Sequence, residues 1–226
     1  MSENRKNKPV LRILKAIIFT VFAFTIIFFT IIFLHQACGA LEFKTKGIPG
    51  TLDKSFANNG VLVFNNSTTY HYFIYGMSID SNGNIFLTGS IAVNFFDTLL
   101  IKFNSNSNLD TFFGNRDIVT YDHLGNNDFS QAIALDKNGN IYLAVTTHSG
   151  NNSNIFLQKC DIFLLKYLPN GTLDISFGNK GIVTFDNTVN TEEKVSNIAI
   201  HNNYLYIAGW TMIDNRYHAL ILKYFK

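Results

Sequence analysis

Cysteine is scarce in this chain. Cys38 and Cys160 are the only two, too few for a disulfide framework. Glutamate is scarce as well: Glu3, Glu42, Glu192 and Glu193 are the four, and none falls in the stretches that repeat. A paired-carboxylate glycosidase would have to be built from aspartate alone. The six histidines (His35, His71, His123, His148, His201, His218) are scattered. No His-x-x-x-His or His/Cys group has zinc spacing. No Gly-x-Ser-x-Gly, phosphate loop or dinucleotide glycine motif occurs. These absences leave no catalytic residue, metal or cofactor to nominate. Positive charge is short where a nucleic acid would need it. Five of the 18 Lys and Arg precede the first apolar run, and from Gly39 onward 13 Lys and Arg stand against 15 Asp and Glu. A nucleic-acid binder carries a basic face, and this body has no surplus to build one. Proline is limited to three residues, while phenylalanine reaches 22 and asparagine is frequent. That balance favours strands and tight turns over helices.

What is present begins with a basic leader. Arg5, Lys6, Lys8, Arg12 and Lys15 precede Ala16–Leu34, a run of nineteen residues without a charge. As a helix it just spans a hydrocarbon core of roughly 30 Å. The flanking charge sets the amino terminus in the cytoplasm. The next residues, Leu34-His35-Gln36-Ala37-Cys38-Gly39, resemble a bacterial lipoprotein processing site. That resemblance implies that Cys38 becomes a lipidated amino terminus, although His35 stands where the site usually has an apolar residue. An uncleaved anchor and plain secretion are the alternatives. All three put residues 39–226 outside the cytoplasm, at a bacterial cell envelope, with the membrane as partner of the first segment. Residues 1–38 are thus a signal peptide or membrane anchor, and 39–51 a short linker with three Gly and a Pro.

From residue 52 the chain repeats. Leu52–Phe64 (LDKSFANNGVLVF), Leu109–Tyr121 (LDTFFGNRDIVTY) and Leu173–Phe185 (LDISFGNKGIVTF) align without a gap. Asp53, Asp110 and Asp174 are equivalent, as are Phe56, Phe113 and Phe177. Each phrase opens one unit, giving repeats 52–108, 109–172 and 173–226. Two apolar runs joined by a turn containing Asn-Gly follow, a strong hairpin signal because Asn and Gly tolerate positive φ. Asp80 and Gly83 mark that turn in the first unit, Asp136 and Gly139 in the second. The third has His201-Asn202-Asn203. Further strands read DTLLIKF, DIFLLKY and HALILKY, in which Lys102, Lys166 and Lys223 are equivalent. The β-branched end of each phrase (Val61–Phe64, Ile118–Tyr121, Ile182–Phe185) supplies a fourth. Four short strands per unit fit a propeller blade.

The phrases LDISFGNKGIVTF, AIALDKNGNIYLA and DIFLLKYLPNGTLD resemble the bacterial delta-sixty family of β-propeller repeats and the similar Asp-Gly-Asn repeats of secreted bacterial proteins. The resemblance covers roughly residues 50–226. It implies an exported, all-β, propeller-like array of three four-stranded blades after one N-terminal hydrophobic helix. It brings no catalytic motif.

Propellers close with at least four blades, and this chain has three units. A homodimer completing a six-blade ring, an open arc and a tightly closed ring all fit the count. Most aspartates recur once per unit, which assigns them to the scaffold; Asp128 and Asp214 fall outside the pattern. The Asp-x-Asn-Gly-Asn turns resemble the start of a calcium loop, but no acidic residue follows where a calcium loop needs one, so they read as hairpin turns. Most aromatics, Trp210 included, fall on strands and read as core. The segments that break the repeat are Ser67–Tyr75, Gly125–Phe129, His148–Cys160 and Met212–Tyr217. Loops on a rigid scaffold are where binding resides. The expected function is a binding or interaction module. The alternative is an envelope hydrolase or lyase with its site at the propeller axis.

Overall fold

The computed structural model describes residues 47–66, 68–92, 95–114, 117–149, 159–185 and 192–226, without the side chains of 149 and 159. The hydrophobic segment 16–34 and Cys38 lie outside these residues. Among the described residues no helix is long and apolar enough to cross a membrane. Leu52–Lys226 forms one compact unit.

That unit is all-β. Its strands are β1 (His71–Ile79), β2 (Ile85–Ala92), β3 (Phe96–Phe103), β4 (Ile118–Tyr121), β5 (Asn127–Leu135), β6 (Ile141–Ser149), β7 (Lys159–Tyr167), β8 (Ile182–Phe185), β9 (Glu193–His201), β10 (Tyr204–Ile213) and β11 (Arg216–Phe225). They form antiparallel sheets in the orders β1-β2-β3-β4, β5-β6-β7-β8 and β9-β10-β11. The sheets are offset from the sequence repeat. Each Leu-Asp phrase leaves the third strand of one sheet and returns as that sheet's fourth strand.

Two expectations need correction. The third sheet has three strands among the described residues, not four. Val61–Phe64, equivalent to β4 and β8, forms no strand, and Val61 bridges only to Ala57 and Asn58 of its own turn. A fourth strand needs the edge of a third, and among the described residues no sheet precedes this one to offer it. The opening strands are also longer than the sequence pattern indicates. Residues of Ser67–Tyr75 and Gly125–Phe129, taken as breaks in the repeat, lie partly in β1 and β5. A register shift conceals them, with an extra residue at Tyr75 in β1, Gln131 in β5 and Ser196 in β9. One extra residue reverses the alternation of faces and bends the strand. All three bulges sit five residues before the hairpin turn, so the bulge is itself part of the repeat.

The sheets stack face to face. β5 packs on β1, β2 and β3, and β9 packs on β5, β6 and β7. Between the first two sheets lie Phe86, Leu100, Phe113, Ile141, Leu143, Phe163 and Leu165. Between the second and third lie Tyr142, Ala144, Ile162, Leu164, Phe177, Leu205 and Ile207. β6 and β7 are buried on both faces, as a middle layer must be.

Candidate functional site

The sheets have two ends of different character. At the hairpin end, β1 turns into β2, β5 into β6 and β9 into β10. At the crossover end, β4 leads to β5 and β8 to β9.

The hairpin end carries the residues that repeat. Asp80 Oδ1 accepts the N–H groups of Asn82 (2.8 Å) and Asn84 (2.9 Å), and Oδ2 accepts the Asn84 side-chain amide (2.8 Å). Asp136 makes the same set with Asn138 and Asn140 at 2.9, 3.0 and 3.0 Å. Gly83 and Gly139 supply φ of 79° and 80°, which closes the turn without a Cβ penalty. Burial alone would raise both carboxyls, but the asparagine amide and backbone donors outweigh it and hold them below their ordinary range. Both read as hairpin turns, and Asp136 Oδ2 also accepts the Tyr142 hydroxyl at 3.3 Å and lies 3.6 Å from Lys226 Nζ. A cavity of about 520 Å³ lies between them, lined by Asp80, Asn82, Lys102, Asp136, Asn138 and Pro169 among others.

Next to the turns are the blade joints. Lys102 Nζ lies 2.8 Å from Asp110 Oδ2, over the rings of Phe86 and Phe113. Lys166 repeats this with Asp174 at 2.9 Å, over Tyr142 and Phe177. Phe113 and Phe177 are buried. Asp53 and Phe56 do not join such a set. Asp53 instead bonds the N–H and hydroxyl of Ser55, and Phe56 is half-buried.

The crossover end gathers what does not repeat in sequence. Phe73, Tyr75 and Phe95 are each more than 40% exposed. Phe73 meets Phe96 at 5.8 Å, Phe96 meets Phe129 at 5.1 Å, and Phe129 also contacts Tyr75 and His148. These rings form a half-exposed band across the first two sheets rather than pure core. On the third sheet Trp210 stacks edge-on against exposed Tyr217 at 4.8 Å.

Beneath the aromatic band lie acidic groups. Asp128 is fully buried. Its Oδ2 accepts the His123 N–H at 2.6 Å, while Oδ1 has no hydrogen-bond partner among the described residues. Burial pushes its pKa up to about 7. The Thr147 hydroxyl, outside bonding geometry, and the His123 N–H pull it back in part, and Asp122 and Asp97 push it further up. Asp97 is also raised, by burial and then by Asp122. Glu193 is fully buried and accepts from Thr211 at 3.3 Å.

Asp128 pairs across the ladder with Thr147, and Glu193 with Thr211. The two acids therefore hold one position in successive sheets, eight residues before the hairpin turn, where the first sheet has Tyr72. This corrects the readings of Asp128 as off-pattern and of Glu193 as outside the repeat. Counting back from the turn was the signal that finds them. Next to Glu193, His148 Nδ1 lies 3.5 Å from Cys160 Sγ. Burial, then Lys194, depresses His148 to about 4, and burial lifts the Cys160 thiol to about 11. Both are neutral at pH 7. No group of three or more metal-ligating side chains forms among the described residues.

Stacked, bulged antiparallel sheets, the first two each holding a Lys–Asp pair where the third strand passes to the fourth, define a repeat scaffold. Residues 66–96, from just before β1 to the start of β3, match the family model described as Beta-propeller repeat. No curated protein matches the chain.

Proposed function

We propose that this is a non-catalytic binding module, held at a bacterial envelope by its first segment, that recognises its partner with the crossover end. The finer reading is a delta-sixty or Asp-Gly-Asn type propeller, tethered through residues 16–34 or a lipid on Cys38. The basic leader, the apolar run and the Ala37-Cys38-Gly39 triplet support that tether. The observation that carries the binding role is the segregation of the two ends. Repeated polar groups are used up by the scaffold at the hairpin end, where Phe112 and Phe225 are also exposed, whereas the crossover end carries the contiguous band of rings through Phe73, Phe96, Phe129 and Tyr75. Surface rings of this kind are recognition material.

The alternative, a hydrolase or lyase, draws on the raised Asp128 carboxyl. A catalytic group must touch its substrate, and Asp128 and Glu193 are fully buried. Their shared position makes them part of the sheet junctions.

The test uses the full chain as bait for a detergent-solubilised envelope extract. A triple variant (Phe73→Ser, Tyr75→Ser, Phe95→Ser) should lose the retained partner. A hairpin-end variant, Ser81→Ala with Lys137→Ala, should keep it. Equal retention by both variants would contradict the proposal. Metabolic labelling with a fatty-acid analogue, lost on Cys38→Ser, tests the anchor.

A further inference from the structure

The described residues carry both halves of a joint that they do not assemble. Its head half is the first Leu-Asp phrase. Leu62 and Phe64 lie against Ile91, Leu99, Ile101 and Phe103 of the first sheet. The Phe64 ring is 5.2 Å from Tyr72 and 5.7 Å from Phe103. Val119 and Tyr121 of β4 pack in the same way on the second sheet, and Val183 and Phe185 of β8 on the third. Val61–Phe64 therefore sits where the fourth strand of a preceding sheet belongs, and no such sheet is present among the described residues. Met77 and Ile79 beside it are 62% and 56% exposed, although their counterparts Ile133 and Leu135 are covered.

The tail half is the third sheet. Among the described residues β11 pairs with β10 alone. Ile221 and Phe225 on its outer face are 74% and 77% exposed. Lys223 lies over Tyr206, the counterpart of Phe86 and Tyr142, and over Tyr204 of the same strand, at 5.4 and 4.0 Å, where Lys102 and Lys166 have Phe113 and Phe177 of their phrases. It has no carboxylate within ion-pair distance among the described residues. Asp53 and Phe56 are the matching carboxylate and ring, and they belong to the head.

We infer that a second copy of this chain fills the joint. The tail of each copy receives the head of the other, giving a two-fold ring of six sheets. Six sheets fall within the four to eight blades that propellers use. A head-to-tail contact that closes after two copies leaves no open edge. The two joints already present fix the register. Ile118–Tyr121 pairs with Thr98–Ile101, and Ile182–Phe185 with Ile162–Leu165. By the same rule Val61 faces Leu222, Leu62 faces Ile221, Val63 faces Leu220 and Phe64 faces Ala219. Lys223 then bridges to Asp53 of the other copy, and Phe56 packs over Lys223 beside Tyr206, displacing Tyr204. This does not rest on the binding role.

Charge reversal tests it on the full chain in detergent, with light scattering corrected for bound detergent. Wild type should give the mass of two chains. Asp53→Lys alone and Lys223→Asp alone should each fall to one. Mixing the two single variants should restore two, because both joints then pair opposite charges. A wild-type monomer, single variants that stay dimeric, or a mixture that stays monomeric would each overturn the proposal. Circular dichroism of each single variant, unchanged from wild type, ensures that loss of mass reads assembly. The doubly reversed chain should be dimeric by itself.

Discussion

The two filled joints and the open one are built from the same thirteen-residue phrase, yet they behave differently. Phe113 and Phe177 are 1% and 8% exposed, and their aspartates reach a lysine. In the first phrase Phe56 is half-buried and Asp53 turns back on Ser55. Local sequence is nearly constant across the three, so it does not decide the outcome. What decides it is whether a third strand with its lysine is already in place when the phrase arrives. The phrase folds its own turn in every copy, and the sheet edge alone makes it a joint.

The comparison is broken most severely at the buried rings. Phe113→Ala should cost about 3–5 kcal/mol, read from denaturant midpoints at concentrations low enough to keep the chain monomeric. Phe56→Ala should cost under about 1 kcal/mol there, and its effect should appear only as loss of the dimer. Equal costs would mean that the first joint is filled within a single chain.

Asp128 comes second, because it lies in a filled junction and Tyr72 holds its place at the open face. Its pKa rises from the ordinary carboxylate value to about 7 on folding. The folded state therefore holds this proton more tightly than the unfolded chain, and stability is lost as pH climbs from about 4 through 7. Asp128→Asn should remove that loss, gaining on the order of 2–4 kcal/mol relative to wild type at pH 8 and little at pH 4. His148 works in the opposite sense. With its folded pKa depressed to about 4, it costs stability as pH falls below the usual histidine value of about 6.5. The difference between wild type and Asp128→Asn at each pH isolates the carboxyl from this background.

Smaller effects belong to the scaffold turns. Asp136→Ala removes the acceptor of two backbone N–H groups and an amide and should cost about 1–2 kcal/mol. Lys166→Met should cost under about 1 kcal/mol. Its ion pair keeps partial solvent contact, and such pairs contribute little. A loss above about 2 kcal/mol would mean that the ion pair, rather than the packed rings, holds the joint.

Much of this was legible in the sequence. The hairpins at Asp80 and Asp136 announce themselves through Asn-Gly, and the joint phrase recurs without a gap. The aligned lysines Lys102, Lys166 and Lys223 point to a shared structural duty. What stayed hidden depends on register. A one-residue bulge at Tyr75, Gln131 and Ser196 breaks the two-residue alternation, so β1, β5 and β9 looked shorter than they are. The same bulge disguised the common position of Tyr72, Asp128 and Glu193, which differ in chemistry as well. The three-stranded third sheet was partly legible, since the sequence places a lone fourth-type strand, Val61–Phe64, before the first sheet; what was not legible is that these residues, right for a strand, find no edge to pair with among the described residues.

The most direct measurement is amide hydrogen exchange across Val61–Phe64 in the full chain at a concentration that favours assembly. The ring predicts protection comparable to Ile118–Tyr121 and Ile182–Phe185, falling to that of an open loop in Lys223→Asp. Rapid exchange in wild type, indifferent to concentration and to that substitution, would contradict it.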